Sequence, residues 1–399
     1  MSCDGVHDAV RKQMLTCVRC GKCRVVCPTL DAESPGTPLW EIFDARGRIK
    51  LALGLDQAHI PINELFVKSE YSCFFCNACV EDCPSQTKVT DIIALTRKWI
   101  FNEGKSPPAE IMMNKAVIES GNIFNLNPED RMLWAFDIED IIESKINVHA
   151  KILYFIGCQA SYKGSLAKIP LGFVELLEHL KVDYTLLGEE ERCCGSPLFL
   201  IGDTEEFAKE AREKIARIKN LGVQLVLTTC PSCYNSFKRY EKVLGEALPF
   251  KLQFATDFLD EKLITGELKI TRAFSKDLGI VTYHDACELG RYQGIYDSPR
   301  HLLKAIPKIQ YKEMPITREK THCCGGGGLV AVGYPEIKNA QSARKILEFQ
   351  ENGVNTVVTA CVGCYDTLSQ AANTYNKQHH NKSIHIMDLI DLISNLVDR

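Results

Sequence analysis

The sequence has little of what marks several large classes of protein. Its formal net charge is only −4 over 399 residues, so it lacks the basic excess that nucleic-acid-binding proteins usually carry. No apolar run approaches the ~18 residues that a membrane-spanning helix needs, and the polar N-terminus has no signal-peptide core. No nucleotide-binding glycine motif is present, because no Lys-Ser/Thr follows the glycines at 325–328. These absences predict a cytoplasmic protein without its own flavin, in which any contact with the inner face of the cell membrane is made through a partner subunit.

The sequence is instead rich in cysteine, with 19 such residues. In an intracellular chain, C-x-x-C pairs indicate metal ligation more than disulfides. Two runs share the spacing C-x2-C-x2-C-x3-C-P, which is typical of cubane [4Fe–4S] clusters in two-cluster ferredoxins. The cysteines of the two runs are Cys17, Cys20, Cys23 and Cys27, and Cys73, Cys76, Cys79 and Cys83.

In two-cluster ferredoxins the fourth cysteine of each run binds the other cluster. We therefore expect Cys83 to complete the cluster of the first run, and Cys27 to complete the cluster of the second. Zinc is the alternative metal, although zinc sites do not favour a tight three-plus-one run that ends in proline. The residues between the runs have helix-like apolar spacing, as in "LWEIFDARGRIKLAL". A helical ferredoxin-like domain with two cubane clusters is thus predicted over residues 1–147.

The other cysteines form an internal repeat. Two five-cysteine sets have matching members 129 to 131 residues apart, and so constant an offset marks a duplication. The first set is Cys158, Cys193, Cys194, Cys230 and Cys233, and the second is Cys287, Cys323, Cys324, Cys361 and Cys364. Only Cys3 lies outside these patterns. A vicinal disulfide is the alternative for each Cys-Cys pair, but it leaves the other three cysteines of a set unexplained.

Each repeat is predicted to be a parallel α/β domain. Short apolar runs such as "KILYFIGC" and "VQLVLTTC" suit buried parallel strands, and amphipathic helices lie between them. The cysteines follow the carboxyl ends of these strands, where parallel sheets place their ligands. The expected fold class is therefore α+β multidomain, with the helical ferredoxin-like domain followed by two α/β repeats at 148–276 and 277–399.

These spacings carry a family resemblance. The patterns C-x34-CC-x35-C-x2-C and C-x35-CC-x36-C-x2-C resemble the cysteine-rich CCG domain. Two such domains after two ferredoxin motifs resemble the D subunits of heterodisulfide reductases, to which "LGEEERCCGS" and "YHDACELGRYQGIYDSPRHLLKAIP" are also similar. The resemblance implies that each five-cysteine set holds a non-cubane [4Fe–4S] cluster. It also implies an enzyme that reduces the disulfide of coenzyme M and coenzyme B, or a related thiol disulfide, with electrons relayed through the two cubane clusters.

An electron-relay function is the alternative. Iron–sulfur subunits of glycerol-3-phosphate, glycolate and lactate dehydrogenases share the layout and pass electrons from a flavin toward quinone. Their CCG motifs commonly lack a cysteine, whereas both sets are complete here, which favours disulfide cleavage. The resemblance implies, as partner, a b-type cytochrome membrane subunit or a flavin or iron–sulfur donor subunit. It implies a small-molecule thiol or disulfide as substrate, while the low net charge already speaks against nucleic acid as a partner.

Basic and histidine side chains beside the cysteines are further candidates. The two coenzymes carry sulfonate, carboxylate and phosphate groups, and arginine binds such oxyanions bidentately. Arg192, Arg291 and Lys163 are therefore candidate substrate-binding residues. His284 and His322 flank ligand cysteines and could hydrogen-bond cluster sulfur.

Overall fold

The first part of the chain is helical. The computed structural model describes residues 3–30, 41–275, 277–379 and 383–397. The helices before the first strand are α1 (Cys3–Thr16), α2 (Lys22–Val25), α3 (Ala45–Asp56), α4 (Glu64–Tyr71), α5 (Ala78–Glu81), α6 (Val89–Asn102), α7 (Pro108–Ser120) and α8 (Glu139–Ile142). Short 3-10 segments lie at Glu41–Phe43, Pro128–Ile138 and Glu143–Lys145.

Side-chain caps fix where two of these helices begin. The Asp44 carboxylate accepts a hydrogen bond of 2.8 Å from the Gly47 N–H at the start of α3. The Asn63 side chain accepts one of 2.9 Å from the Phe66 N–H at the start of α4. Each cap satisfies an N–H that has no partner within its own helix.

A four-stranded parallel sheet follows in each repeat, with strand orders β2-β1-β3-β4 and β6-β5-β7-β8. The strands are β1 (Ile152–Phe155), β2 (Tyr184–Thr185), β3 (Leu225–Thr228), β4 (Lys251–Phe254), β5 (Ile280–Tyr283), β6 (Gln310–Tyr311), β7 (Thr356–Thr359) and β8 (His385–Asp388). The register is equivalent in the two sheets: Ile152 of β1 pairs with Leu225 of β3, and Val281 of β5 pairs with Thr356 of β7. The duplication seen in the cysteine spacing therefore extends to the sheets.

Helices connect and cover these strands. In the first repeat they are α9 (Cys158–Tyr162), α10 (Lys168–His179), α11 (Ser196–Ile201), α12 (Thr204–Asn220), α13 (Pro231–Leu244) and α14 (Ala255–Ile264). In the second they are α15 (Gly290–Gln293), α16 (Asp297–Lys304), α17 (Val330–Gly333), α18 (Pro335–Glu351), α19 (Val362–Gln378) and α20 (Leu389–Ser394). Three further 3-10 turns occupy Gly164–Leu166, Gly188–Glu190 and Arg318–Lys320.

The two repeats share one apolar core. A single cluster of buried side chains extends through both sheets, from Val117 to Val397. Helix α10 of the first repeat packs against α20 at the end of the chain, and a Cβ at Gly172 would lie 2.5 Å from Ser394 Oγ. The predicted fold class, helical first and then two parallel α/β repeats, is confirmed, while the boundaries at 148 and 277 stay predictions. Among the described helices, none combines the length and apolarity needed to cross a bilayer.

Candidate metal centres

The ferredoxin runs line two separate cavities. The first cavity is lined by Cys17, Cys20, Cys23 and Cys83. The second is lined by Cys27, Cys73, Cys76 and Cys79. The fourth cysteine of each run thus faces the cavity of the other run, which is the exchange that the spacing predicts. Metal ligation by these eight side chains stays a prediction.

Left-handed backbone turns bring the three close cysteines of each run to one cavity. Gly21 (φ 83°) precedes α2, and Asn77 (φ 64°) stands at the equivalent place before α5. Backbone N–H groups then point at sulfur, with the Phe75 N–H 3.4 Å from Cys73 Sγ and the Thr87 N–H 3.3 Å from Cys83 Sγ. Such donors stabilise thiolates and metal-bound sulfur.

Two buried arginines lie beside the second cavity, and the sequence gives no signal for either. Arg48 Nη1 is 3.8 Å from Cys27 Sγ, and the same guanidinium donates to the Ser69 carbonyl at 2.7 Å. Burial acts against its charge, but Cys73 and Cys27 raise the pKa of Arg48 above its ordinary value. Arg97 donates to the Cys73 carbonyl at 3.0 Å and to two carbonyls in the repeats. These cations partly compensate negative charge that thiolates bring into the cavity.

The first five-cysteine set lies at the carboxyl ends of β1 and β3. All five side chains are buried, and the sulfur atoms of Cys158 and Cys193 are 3.8 Å apart. Gly157 has φ +86°, and a Cβ there would lie 2.8 Å from Cys233 Sγ. The glycine before Cys158 is therefore required both by its backbone conformation and by the space that the sulfur atoms need.

The second set lies at the equivalent ends of β5 and β7. The sulfur atoms of Cys324 and Cys364 are 3.1 Å apart, and Cys361 Sγ accepts the Cys364 N–H at 3.4 Å at the start of α19. Hydrogen bonds with Cys323 and Cys364, and a weaker one with His284, hold the pKa of Cys324 well below its usual range. A thiol whose pKa is lowered in this way loses its proton more readily, as metal binding requires.

The glycine run after Cys324 makes room for the ferredoxin part of the chain. A Cβ at Gly327 would lie 2.5 Å from the Phe74 carbonyl oxygen, and one at Gly328, where φ is +67°, would lie 2.0 Å from the Cys73 carbonyl oxygen. A hydrogen bond with Cys323 also lowers the pKa of Cys76. The second ferredoxin cavity therefore adjoins the second set directly.

Each candidate substrate-binding cation has a partner in the protein. Arg192 donates to Glu210 Oε1 at 2.8 Å, and Lys163 pairs with Asp366 at 2.5 Å. Arg291 is buried and donates to backbone carbonyls, including that of Cys76 at 2.9 Å. A substrate role for Arg192, Arg291 and Lys163 stays a prediction, and it would require these partners to be exchanged for the substrate.

The two histidines differ in their surroundings. His322 is half exposed, and its Nδ1 lies 2.9 Å from Glu348 Oε2. His284 is buried, and one of its ring nitrogens lies within 4.8 Å of both Cys324 Sγ and Cys364 Sγ. Of the pair, only His284 faces the sulfur atoms of a predicted cluster site.

The residues fit iron–sulfur clusters. The eighteen cysteines whose side chains the structure describes are all free thiols, so none of them forms a vicinal disulfide. They fall into four compact sulfur groups, most members of which are buried, with N–H donors aimed at several sulfur atoms. Buried thiolate groups of this kind suit soft, sulfur-binding metal centres.

Comparison with known proteins gives a consistent result. The model of the cysteine-rich domain family CCG matches residues 152–238 and 281–369. The D subunit of the dihydromethanophenazine:CoB–CoM heterodisulfide reductase of Methanosarcina acetivorans is 30% identical over 396 residues, which cover 95% of this chain and 93% of that protein. The probable iron-sulfur-binding oxidoreductase FadF of Bacillus subtilis is 25% identical, over 96% of this chain and 61% of that protein. The EtfAB:quinone oxidoreductase of Syntrophomonas wolfei is 24% identical, over 97% of this chain and 59% of that protein.

Proposed function

Since this chain belongs to the family of the heterodisulfide reductase D subunits and is an iron–sulfur oxidoreductase subunit, we propose that it reduces a thiol heterodisulfide. The disulfide of coenzyme M and coenzyme B, or a close chemical relative, is the proposed substrate. The carrying observation is that both five-cysteine sets are complete and lie at equivalent places in the two sheets, and that Asn235 near the first set donates a hydrogen bond to Glu288 next to the second.

Four sulfur groups would hold the clusters. Two cubane [4Fe–4S] clusters are assigned to the two ferredoxin cavities, and two non-cubane [4Fe–4S] clusters to the two five-cysteine sets. Bound clusters would supply one-electron transfer and iron atoms that can hold a sulfur atom. Opening one S–S bond takes two electrons and two protons and releases two thiols, so two centres beside one substrate match the electron count.

Glu288, next to Cys287 of the second set, lies close to cysteines of both sets. Ser232, next to Cys233 of the first set, hydrogen-bonds the Glu288 carboxylate, and Asn235 donates to the Glu288 carbonyl at 2.8 Å. Burial raises the pKa of Glu288, and the neighbouring Cys194 and Cys324 raise it further. Residues of both repeats therefore shape the buried region in which a disulfide would be held.

Turnover with and without substrate tests this function. The full chain, purified without oxygen, should oxidise reduced methyl viologen in the presence of the coenzyme M–coenzyme B disulfide and release both thiols in equal amounts. A variant that removes one thiol of the first set, Cys194→Ser, should lose turnover, while Cys3→Ser, outside all four sulfur groups, should keep it. Equal activity of the two variants would contradict the proposal.

Electron relay to a quinone-linked partner is the second candidate function. It is favoured by the similarity to the EtfAB:quinone oxidoreductase, of which this chain spans 59%. A relay protein would bind neither thiol nor disulfide. Coenzyme M added to the oxidised protein would then leave its EPR spectrum unchanged, whereas the reductase should show a new signal.

The proposed electron donor is a protein subunit with an acidic docking face. Among the cysteines with described side chains, Cys20 alone is exposed. Leu15 (66% exposed) and Val18 (67% exposed) precede it by five and two residues. No acidic residue occurs between Asp8 and Asp31, and within the described part of the chain neither Arg19 nor Lys22 pairs with a carboxylate.

This exposed surface around Cys20 combines apolar side chains with those two cations. That composition matches a transient protein interface steered by opposite charge. A cysteine of the first ferredoxin cavity at its centre favours an electron-carrying protein over a lipid surface, because lipid neither gives nor takes electrons. A b-type cytochrome subunit would fit this role, and so would a flavin-containing or iron–sulfur donor subunit.

A further inference from the structure

His284 is a buried polar side chain with an incomplete set of hydrogen bonds. It lies three residues before Cys287, just after β5, and only 2% of it is exposed. Within the described part of the structure, its Nδ1 has no hydrogen-bond partner. A buried polar atom without a partner destabilises the fold, so this nitrogen is expected to have a partner in the working protein.

His284 is held in place through both its backbone and its ring. The His284 backbone N–H donates to the Val358 carbonyl at 2.8 Å, and the His284 carbonyl accepts from Thr359 Oγ1 at 3.2 Å. The ring stands edge-on to Phe349, with a centroid distance of 6.1 Å and an interplanar angle of 87°. These contacts fix the ring against Cys324 and Cys364, whose sulfur atoms lie within 4.8 Å of one of its nitrogens.

The first repeat has no histidine at the matching position, although Ser236 lies beside Cys194. Phe155 stands at the matching position, three residues before Cys158. Its ring packs edge-on against Phe237 at 5.1 Å and offers no hydrogen bond. The duplicated sets of cysteines are therefore chemically unequal at this position.

We propose that His284 is a positioning residue which donates an imidazole N–H to the sulfur side of the cluster bound by the second set. This inference rests on the proposed cluster assignment. An N–H donor to sulfur stabilises the more negative, reduced form of a centre and so makes it easier to reduce. The second set should therefore hold the more readily reduced of the two CCG centres, and His284 should cause part of that difference.

The test compares three variants of the full chain, purified anaerobically with its clusters. His284→Phe copies the first repeat, and His284→Gln keeps an N–H donor. His322→Phe is the matched control, because His322 also precedes a ligand cysteine but faces Glu348. Each protein is titrated electrochemically under EPR, and histidine labelled with ¹⁵N is followed by pulsed EPR.

His284→Phe is expected to shift one of the two CCG signals to lower potential and leave the other unchanged. His284→Gln should restore part of the shift, and His322→Phe should show none. The unmodified protein should show weak ¹⁵N coupling on that same signal, lost in both His284 variants and kept in His322→Phe. Should His284→Phe lose iron, the ¹⁵N coupling of the unmodified protein still decides the question.

Unchanged potentials in His284→Phe, or absent ¹⁵N coupling in the unmodified protein, would overturn the inference. A large coupling typical of nitrogen bound directly to iron would also overturn it, since His284 would then be a ligand. If His284→Phe shifts the potential but the unmodified protein does not turn over the disulfide, only the proposed function is wrong. If the unmodified protein turns over the disulfide but His284→Phe shifts no potential, only the role of His284 is wrong.

Discussion

Replacing Gly328 by alanine should loosen the contact between the second ferredoxin cavity and the second repeat. Gly328 has φ +67°, and an added Cβ would lie 2.0 Å from the Cys73 carbonyl oxygen. The left-handed backbone costs a non-glycine residue about 1–2 kcal/mol, and overpacking against backbone adds about 1–3 kcal/mol. The Gly328 carbonyl also accepts a hydrogen bond of 2.9 Å from Arg97, which the displacement would strain. The free energy of unfolding of Gly328→Ala should thus fall by about 2–5 kcal/mol.

Gly353→Ala provides the matched control. Gly353 has nearly the same φ of +71°, but a Cβ there would meet nothing within 4 Å. The free energy of unfolding of Gly353→Ala should fall by only about 1–2 kcal/mol, the cost of the left-handed backbone. Both variants are compared by denaturant unfolding of the holoprotein under anaerobic conditions, together with the rate at which a chelator removes iron. Equal losses of stability in the two variants would refute the packing argument at Gly328.

Three further predictions follow from the geometry. Gly157→Ala, whose Cβ would approach Cys233 Sγ to 2.8 Å, should lower the iron content of the purified chain, and an iron content equal to that of Gly353→Ala would contradict this. Arg19→Glu combined with Lys22→Glu should slow reduction by an acidic ferredoxin about tenfold at low salt, without slowing reduction by dithionite. An equal effect from Arg212→Glu with Lys219→Glu, or binding of anionic lipid vesicles instead of ferredoxin, would count against the docking surface. Burial raises the pKa of Glu70 to about 8, so the folded chain keeps a proton that the unfolded chain loses above its ordinary pKa. As the pH rises from roughly 6 to 7.5, the free energy of unfolding should therefore fall by up to about 1.4 kcal/mol per pH unit. Glu70→Gln should make the free energy of unfolding depend less steeply on pH.

The spacing of the cysteines predicts much of the candidate site, because ligand spacing is a local property. The C-x2-C-x2-C-x3-C run requires one turn around a cluster, and the structure places Gly21 and Asn77 in the left-handed conformation that this turn needs. The constant offset between the repeats likewise predicts two equivalent sheets. In both cases the spacing of the cysteines alone is sufficient to predict the structural feature.

What the sequence does not predict depends on contacts between distant segments. Arg97 reaches the Gly328 carbonyl 231 residues away, and no local pattern separates it from a surface arginine. The glycine run at 325–328 suggests room beside a cluster, but the structure shows that Gly327 and Gly328 admit the ferredoxin backbone. Arg192 and Lys163 adjoin cysteines in sequence, yet Glu210 and Asp366 are their partners in space.

Iron and acid-labile sulfide per chain, measured on protein purified without oxygen, show whether four clusters are bound. Four [4Fe–4S] clusters on the four sulfur groups predict about sixteen iron atoms and a comparable amount of sulfide. Zinc in place of iron, or about eight iron atoms that stay unchanged in Cys194→Ser and Cys324→Ser, would contradict it.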